Sequence, residues 1–156
     1  MSKKSVKSKM VTDKILYAVI VARFHEHITE KMLKACLKEF SRLHIDESQV
    51  QVVRVPGAFE IPVMALKLAQ KKNICAVICL GAIIKGQTLH YELVAEQSAR
   101  GIQEVALKTG KPIIFEVLAA DSQDLCEARA QEGDRDNKGA SAARVAVEMV
   151  ETLRKV

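Results

Sequence analysis

The sequence predicts an α/β fold in three layers, αβα, built on a four-stranded parallel sheet. Three observations lead there. Apolar runs of strand length, Ile15-Leu-Tyr-Ala-Val-Ile-Val-Ala22 and Ile74-Cys-Ala-Val-Ile-Cys-Leu80, lack polar alternation, as strands buried on both faces of a parallel sheet do. Between the strand candidates lie segments whose apolar residues recur at helical spacing. The resulting order, β-α-β-α-β-α-β-α-α, has no internal repeat and no linker. Such alternation specifies parallel strands joined by right-handed crossovers, with helices on both faces.

In chain order, residues 15–22 form the first strand. Ile28, Met32, Cys36, Phe40 and Leu43 then draw one helical stripe, with Glu30, Lys31, Lys34, Lys38 and Glu39 on its polar sides. Val50-Gln-Val-Val-Arg-Val55 is the second strand, stopped by Pro56-Gly57. A helix follows from about Glu60, because Pro62 is tolerated only in a first turn. The third strand runs from Ile74 to Leu80 and on into Gly81-Ala-Ile-Ile84, and its apolar content places it centrally. A long helix over about 88–109 carries Ala95, Ala99, Ile102 and Ala106, a narrow face of small residues expected to approach the sheet closely. Gly110 as C-cap and Pro112 just beyond end it. Residues 113–118 are the fourth strand, followed by a short helix around 122–130 and a polar loop over 131–138. A last helix, about 139–155, is expected to bury Ala143, Ala146, Val147, Val150 and Leu153.

Composition excludes several function classes. A chain of 156 residues, 49% hydrophobic and 28% charged, has one domain's length and the apolar content for a core. No apolar run approaches the ~20 residues of a membrane span, and the Lys-rich start has no apolar segment of a secretory leader. Cys36, Cys75, Cys79 and Cys126 fall inside predicted helices and strands, which suits reduced thiols in a cytoplasmic protein. The net charge of +5 is concentrated in residues 1–14, which hold five lysines and one aspartate; the other 142 residues carry 19 basic and 18 acidic side chains. Residues 1–14 therefore read as a flexible Lys-rich arm and 15–156 as one domain. With 4% aromatics there is no basic and aromatic stripe for nucleic acid.

Ligands of such folds bind beyond the carboxyl ends of the strands, here near 22–25, 55–60, 81–88 and 118–121. Gly81-Ala-Ile-Ile-Lys-Gly86-Gln87-Thr88 nearly matches a phosphate loop, but Gln87 stands where the lysine belongs. A single phosphate on backbone N–H groups at a helix start fits this better than a triphosphate, and a plain strand–turn–helix connection fits equally. His90, in the first helical turn, is either a surface residue or a neutral proton acceptor. Glu60 is either a helix-start acid or an acceptor for polyol hydroxyls. Phe24 is either rim packing or a stacking surface for a planar ring. Charge alone gives Arg129 no role. No His or Cys pair has metal-ligand spacing, so no metal site is expected.

Taken together and in order, Ala22-Arg-Phe24, Val55-Pro-Gly-Ala-Phe-Glu-Ile-Pro62, Gly81-Ala-Ile-Ile-Lys-Gly-Gln-Thr-Leu-His-Tyr91, Ile114-Phe115, Glu127-Ala-Arg-Ala130 and Asn137-Lys-Gly139 resemble the lumazine synthase family over about residues 16–149. The resemblance implies a flavodoxin-like fold and a cofactor-independent reaction of riboflavin biosynthesis. In it, 5-amino-6-(D-ribitylamino)uracil condenses with 3,4-dihydroxy-2-butanone 4-phosphate to 6,7-dimethyl-8-ribityllumazine, with loss of phosphate and water. It further implies that Phe24 stacks on the pyrimidine and that backbone groups of Ala82, Ile83, Ile84 and Phe115 bond its polar edge. Ala58, Phe59 and Glu60 would hold the ribityl chain, and Gly86, Gln87, Thr88 and Arg129 the phosphate. His90 would shuttle protons.

The family forms homopentamers with sites at subunit contacts, some stacked into 60-subunit shells, so the resemblance implies that Phe115 and Arg129 come from the neighbouring subunit. The sequence departs from the usual pattern at His25, where Asn is common, at Glu116, where Gly is common, and at Ala119-Ala120, where Thr-Thr is common. The stretch from Arg129 to Asn137 is one residue longer than usual, with Arg135 in place of a customary lysine; the added length leans toward a free pentamer. Apart from the resemblance, the same strand ends would suit a module that binds a phosphate-bearing flavin without catalysing anything.

Overall fold

A computed structural model describes residues 14–133 and 135–156. The Lys-rich arm, apart from Lys14, lies outside the described residues. Four strands, β1 (Leu16–Ala22), β2 (Val50–Val55), β3 (Ile74–Ile84) and β4 (Ile113–Ala120), form one parallel sheet in the order β2-β1-β3-β4. Helices α1 (Glu26–Arg42), α4 (Gln123–Ala128) and α5 (Lys138–Leu153) cover one face, and α2 (Ile61–Ala69) and α3 (His90–Thr109) the other. The chain reverses direction across the sheet after β2 and changes face as it does so, as a constant crossover hand requires. This is the predicted three-layer, flavodoxin-like architecture.

The unbroken apolar runs are explained by burial on both faces. In β1, Tyr17, Val19 and Val21 pack against α1 and α5, while Ala18, Ile20 and Ala22 face the layer of α2 and α3. β3 does the same with Ala76, Ile78 and Leu80 on one side and Val77, Cys79 and Ile83 on the other. The predicted stripe of α1 is buried through Phe40, and Leu43 becomes its half-buried C-cap. Gly110 ends α3 in the left-handed conformation expected of a C-cap glycine. Cys36, Cys79 and Cys126 are buried free thiols and Cys75 is half-buried. No helix among the described residues is long and apolar enough to cross a membrane.

Three expectations are corrected. α3 does not use its alanines for a close approach to the sheet: its buried residues are Ser98, Ile102 and Val105. Its tight contact is with α2, where a Cβ on Gly101 would come within 2.8 Å of Pro62. Leu153 is exposed beside Ile113 and Ile114 at the β4 edge, and Ala140 and Ala142 are buried instead. Small residues serve closeness there: a Cβ on Gly139 would stand 1.8 Å from the Met32 carbonyl oxygen, so the start of α5 lies directly on the α1 backbone. Glu39, placed on the polar flank of α1, is buried. It accepts hydrogen bonds from Arg144 of α5 (3.1 Å) and Arg42 (3.3 Å).

Candidate active site

The sheet order puts the topological switch point between β1 and β3, whose following segments diverge to opposite faces and leave a crevice at their carboxyl ends. The turn after β1 is fixed by its neighbours. Arg23 N–H donates to the Val55 carbonyl (2.8 Å) and Phe24 N–H to the Pro56 carbonyl (2.9 Å). The buried Thr29 hydroxyl donates to the Ala22 carbonyl at 2.7 Å. Phe24 is thereby thrust outward at 65% exposure.

After β2, the expected helix start is preceded by a 3₁₀ turn, Ala58–Glu60. The Glu60 carboxylate folds back to accept the Gly57 N–H at 2.9 Å. It therefore closes the turn and keeps its other oxygen for the groove. Gly57 is glycine for a spatial reason: a Cβ there would lie 2.6 Å from the Phe24 ring.

The phosphate-loop spacing does not survive as a loop. Gly81 lies inside β3, extended and packed between Val117 and Ile61, so only Gly86 belongs to the turn. That turn, Lys85 to Leu89, leads directly to His90, the first residue of α3, whose N–H meets the Thr88 hydroxyl at 3.3 Å. Gly86, Gln87 and Thr88 thus lie on the turn that leads into the start of α3.

The crevice has two lobes. One, a cavity of about 200 Å³, is lined by Phe24, His25, Ala58, Ala82, Ile83, Ile84, Gly86, Thr88, His90, Tyr91 and Val94. The other, about 520 Å³, is lined by Phe24, Gly57, Ala58, Phe59, Glu60, His90, Leu93, Val94 and Gln97. Phe24, Ala58, His90 and Val94 are common to both, so they form one groove with Phe24 and His90 at its waist. Ten of the candidate residues meet here: Phe24, Ala58, Phe59, Glu60, Ala82, Ile83, Ile84, Gly86, Thr88 and His90. Gln87 is exposed on the same turn without lining either lobe.

Phe115 and Arg129 are not brought to this groove within the chain. Phe115 lies five residues before Ala120 on β4, roughly 16 Å back along the strand at ~3.3 Å per residue. β4 is a sheet edge, and Phe115 is 44% exposed there. Arg129 ends α4 on the opposite layer and donates to the Leu125 carbonyl at 2.7 Å. Glu116 points to the α5 side, half-buried, where burial raises its carboxyl above the ordinary range against the opposing pull of Lys138.

Sequence reasoning passed over Tyr91, Leu93, Val94 and Gln97. For the last three the signal was present: from His90, the positions i+3, i+4 and i+7 are Leu93, Val94 and Gln97, one face of α3. It also treated His25 only as a departure, whereas the ring lines the smaller lobe.

Two comparisons agree with this arrangement. The family described as 6,7-dimethyl-8-ribityllumazine synthase matches residues 14–154. The 6,7-dimethyl-8-ribityllumazine synthase of Thermus thermophilus is 39% identical over 156 residues, covering 100% of this chain and 99% of that protein. That of Coxiella burnetii is 42% identical over 139 residues, 89% of this chain and 91% of its own length. With the parallel sheet, the switch-point groove and a match along nearly the whole length, the chain belongs to the 6,7-dimethyl-8-ribityllumazine synthase family.

Proposed function

We propose that the two-lobed groove carries out the family's condensation of 5-amino-6-(D-ribitylamino)uracil with 3,4-dihydroxy-2-butanone 4-phosphate. The observation that carries this reading is the convergence of an exposed aromatic ring, a carboxylate, a glycine-containing helix start and a histidine around one crevice. Phe24 offers its face to the pyrimidine, and the end of β3, Ala82 to Ile84, offers backbone polar groups to its edge. The larger lobe, with Ala58, Phe59 and Glu60, takes the ribityl chain; the Glu60 oxygen not used by Gly57 accepts from its hydroxyls. The turn Gly86-Gln87-Thr88 takes the phosphate at the positive end of α3.

His90 stands between the two lobes. The substrate amine attacks the ketone carbon, the carbonyl π pair moves to oxygen, and water leaves to give an imine. Loss of a carbon-bound proton and of phosphate, ring closure and a second dehydration complete the product. Each step moves a proton, and His90 is placed to relay it. Holding two substrates in one groove supplies much of the acceleration by orientation alone.

The remaining two candidates fit a site shared between subunits. Phe59, Leu89 and Leu93 are 58%, 74% and 59% exposed around the mouth, an apolar rim that suits coverage by another chain. Phe115 and Arg129 of a neighbouring copy would then complete the pyrimidine edge and the phosphate site. A closed ring of five copies of the 17.2 kDa chain has a mass of about 86 kDa. The buried free thiols suit the cytoplasm.

The test mixes both substrates with the protein and follows the fluorescent lumazine. Product formation that falls roughly 10- to 1000-fold in His90→Ala is expected, and no product from the wild-type chain overturns the reading. Co-assembled Phe24→Ala and Arg129→Ala chains should regain activity, since some interfaces then carry neither change. Proven mixing without recovery would place the whole site in one subunit.

A further inference from the structure

We propose that a lysine-lined cavity at the amino end of the sheet, opposite the groove, binds a small organic phosphate, a phosphoryl dianion joined to an apolar body. The inference is independent of the reading of the groove and starts from where the charge lies. Outside residues 1–14 the chain carries 19 basic and 18 acidic side chains, so the folded part has almost no net charge to distribute. Yet Lys67 and Lys108 fall on the last turns of α2 and α3, and Lys71, Lys72 and Lys111 on the links from those helices to β3 and β4. No carboxylate occurs in residues 61–75 or 105–115.

The structure gathers three of these lysines around a concavity. Between the carboxyl ends of α2 and α3 lies a cavity of about 440 Å³, within the usual size of small-molecule sites. Lys72, Lys108 and Lys111 line it, Gln70 adds a carboxamide, and Leu66 and the buried Ala69 add an apolar wall. Lys111 is half-buried and held in place, its ammonium donating to the Lys71 carbonyl at 2.7 Å. An ammonium has three protons, so two remain for a ligand. None of the three lysines enters an ion pair among the described residues. The nearest acid along α3, Glu104, stands one turn back from Lys108 and is taken by Arg100 at 3.0 Å.

Helix-end electrostatics accounts for only part of this charge. Each helix carboxyl end carries about half a negative elementary charge, which nearby lysines offset. Two helix ends therefore absorb about one lysine, and the cavity keeps a surplus of about two positive charges. A phosphate monoester carries roughly −1.5 to −2 at neutral pH, on one group with three acceptor oxygens. It matches the surplus in a single contact region, where a carboxylate would supply half of it. The wall of Leu66 and Ala69 then asks for an apolar body, because a bare anion would leave that surface wet.

This cavity is no extension of the groove. Helix α3 has His90 at its first residue and Thr109, another lining residue of the cavity, at its last. Its 20 residues place the two sites roughly 30 Å apart at about 1.5 Å per residue.

The test titrates the full chain, methyl-labelled at Leu and Val, with phenyl phosphate, inorganic phosphate, sulfate and phenol. NMR follows Leu66 at the cavity and Val94 in the groove, so the two sites are read separately. Phenyl phosphate should give a saturable Leu66 shift, at least about threefold tighter than inorganic phosphate or sulfate because the ring covers the apolar wall. Phenol should give none. In the double variant Lys72→Gln, Lys108→Gln the affinity read at Leu66 should fall by roughly 10-fold or more, the loss of two charge-assisted contacts, while Val94 responds as in wild type. Both lysines are exposed, and Lys108→Gln alone should give an intermediate affinity if the double variant folds poorly. No saturable Leu66 shift overturns the proposal. So does an equal response to sulfate, which would mean a counterion only, an equal response to phenol, or a variant affinity within about twofold of wild type. Lumazine formation without a Leu66 response defeats this inference alone, and a Leu66 response without lumazine defeats the reading of the groove alone.

Discussion

Gly57→Ala separates the stability of this protein from its chemistry. The backbone of Gly57 is extended, φ −145° and ψ −179°, so alanine fits it without strain and restricts the unfolded chain, a gain of about 0.4–1 kcal/mol. The new methyl would lie 2.6 Å and 2.9 Å from two atoms of the Phe24 ring and 3.2 Å from a Glu60 carboxylate oxygen. Carbon atoms in contact stand about 3.5–4.0 Å apart, so the ring must retreat by roughly 1 Å. It can do so cheaply, because Phe24 is mostly exposed. A displacement of that size at a substrate-positioning group costs up to about 100-fold in rate. The expected result is therefore a melting temperature equal to or slightly above wild type and a kcat/KM for the ribitylaminouracil lower by roughly 10- to 100-fold. Differential scanning calorimetry and steady-state lumazine formation on one preparation check both halves. Activity within twofold of wild type would refute the assignment of Phe24 as the stacking surface. A large fall in melting temperature would refute the claim that the ring yields freely.

Other perturbations probe the scaffold and the shared site. Gly139→Ala forces a methyl into the Met32 carbonyl of α1, where no side chain can move aside. It should destabilise by about 3 kcal/mol or more, read as a fall in denaturant midpoint. Glu39→Gln should cost about 1–2 kcal/mol at pH 7, less than a fully buried pair because Arg144 is partly exposed. Burial raises the Glu39 carboxyl, but Arg144 and Arg42 outweigh it and hold the group below its usual 4.5. The folded state thus gains stability from this group above about 4.5 and loses it as pH falls through the depressed value. Denaturation at pH 3–6 should show that loss in wild type and not in the Gln variant. Arg129→Ala should raise KM for the butanone phosphate far more than KM for the ribitylaminouracil, with Lys restoring only part of the affinity because the bidentate fork is gone. Equal effects on both constants would remove Arg129 from the phosphate site.

The sheet and its helices were legible because burial on both faces leaves a residue-level trace. The runs 15–22 and 74–84 have no polar position to alternate with, and the α1 stripe keeps its period through Phe40. What stayed hidden involved closeness rather than hydrophobicity. A glycine that lets α5 rest on the α1 backbone is indistinguishable in sequence from one that caps a helix. A glutamate on a helix flank says nothing of Arg144, 105 residues away, that makes its burial tolerable. In the groove, strings at three strand ends pointed to one place because parallel strands bring their carboxyl ends together. The sequence carries the third strand through Gly81 to Ile84, and it ends there, so only Gly86 of the two glycines belongs to the turn. The left-handed backbone at His25 is imposed by hydrogen bonds to the neighbouring strand and helix, which no local pattern announces.

The three buried free thiols, Cys36, Cys79 and Cys126, give this protein a set of internal clocks. Burial raises Cys36 to about 12 and Cys79 higher still, and Cys126 is raised too although Arg129 opposes the shift. Only thiolates react with alkylating reagents at useful rates, so each sulfur is silent until its surroundings open. Cys36 and Cys79 sit in the two apolar layers on opposite faces of the sheet; they register the opening of whole layers. Cys126 belongs to a six-residue helix at the periphery, the one that carries Arg129. Its labelling rate reports how often this short helix comes loose while the rest of the fold stays shut. The ratio of that rate to those of the deep thiols converts directly into the free-energy gap between local and global opening.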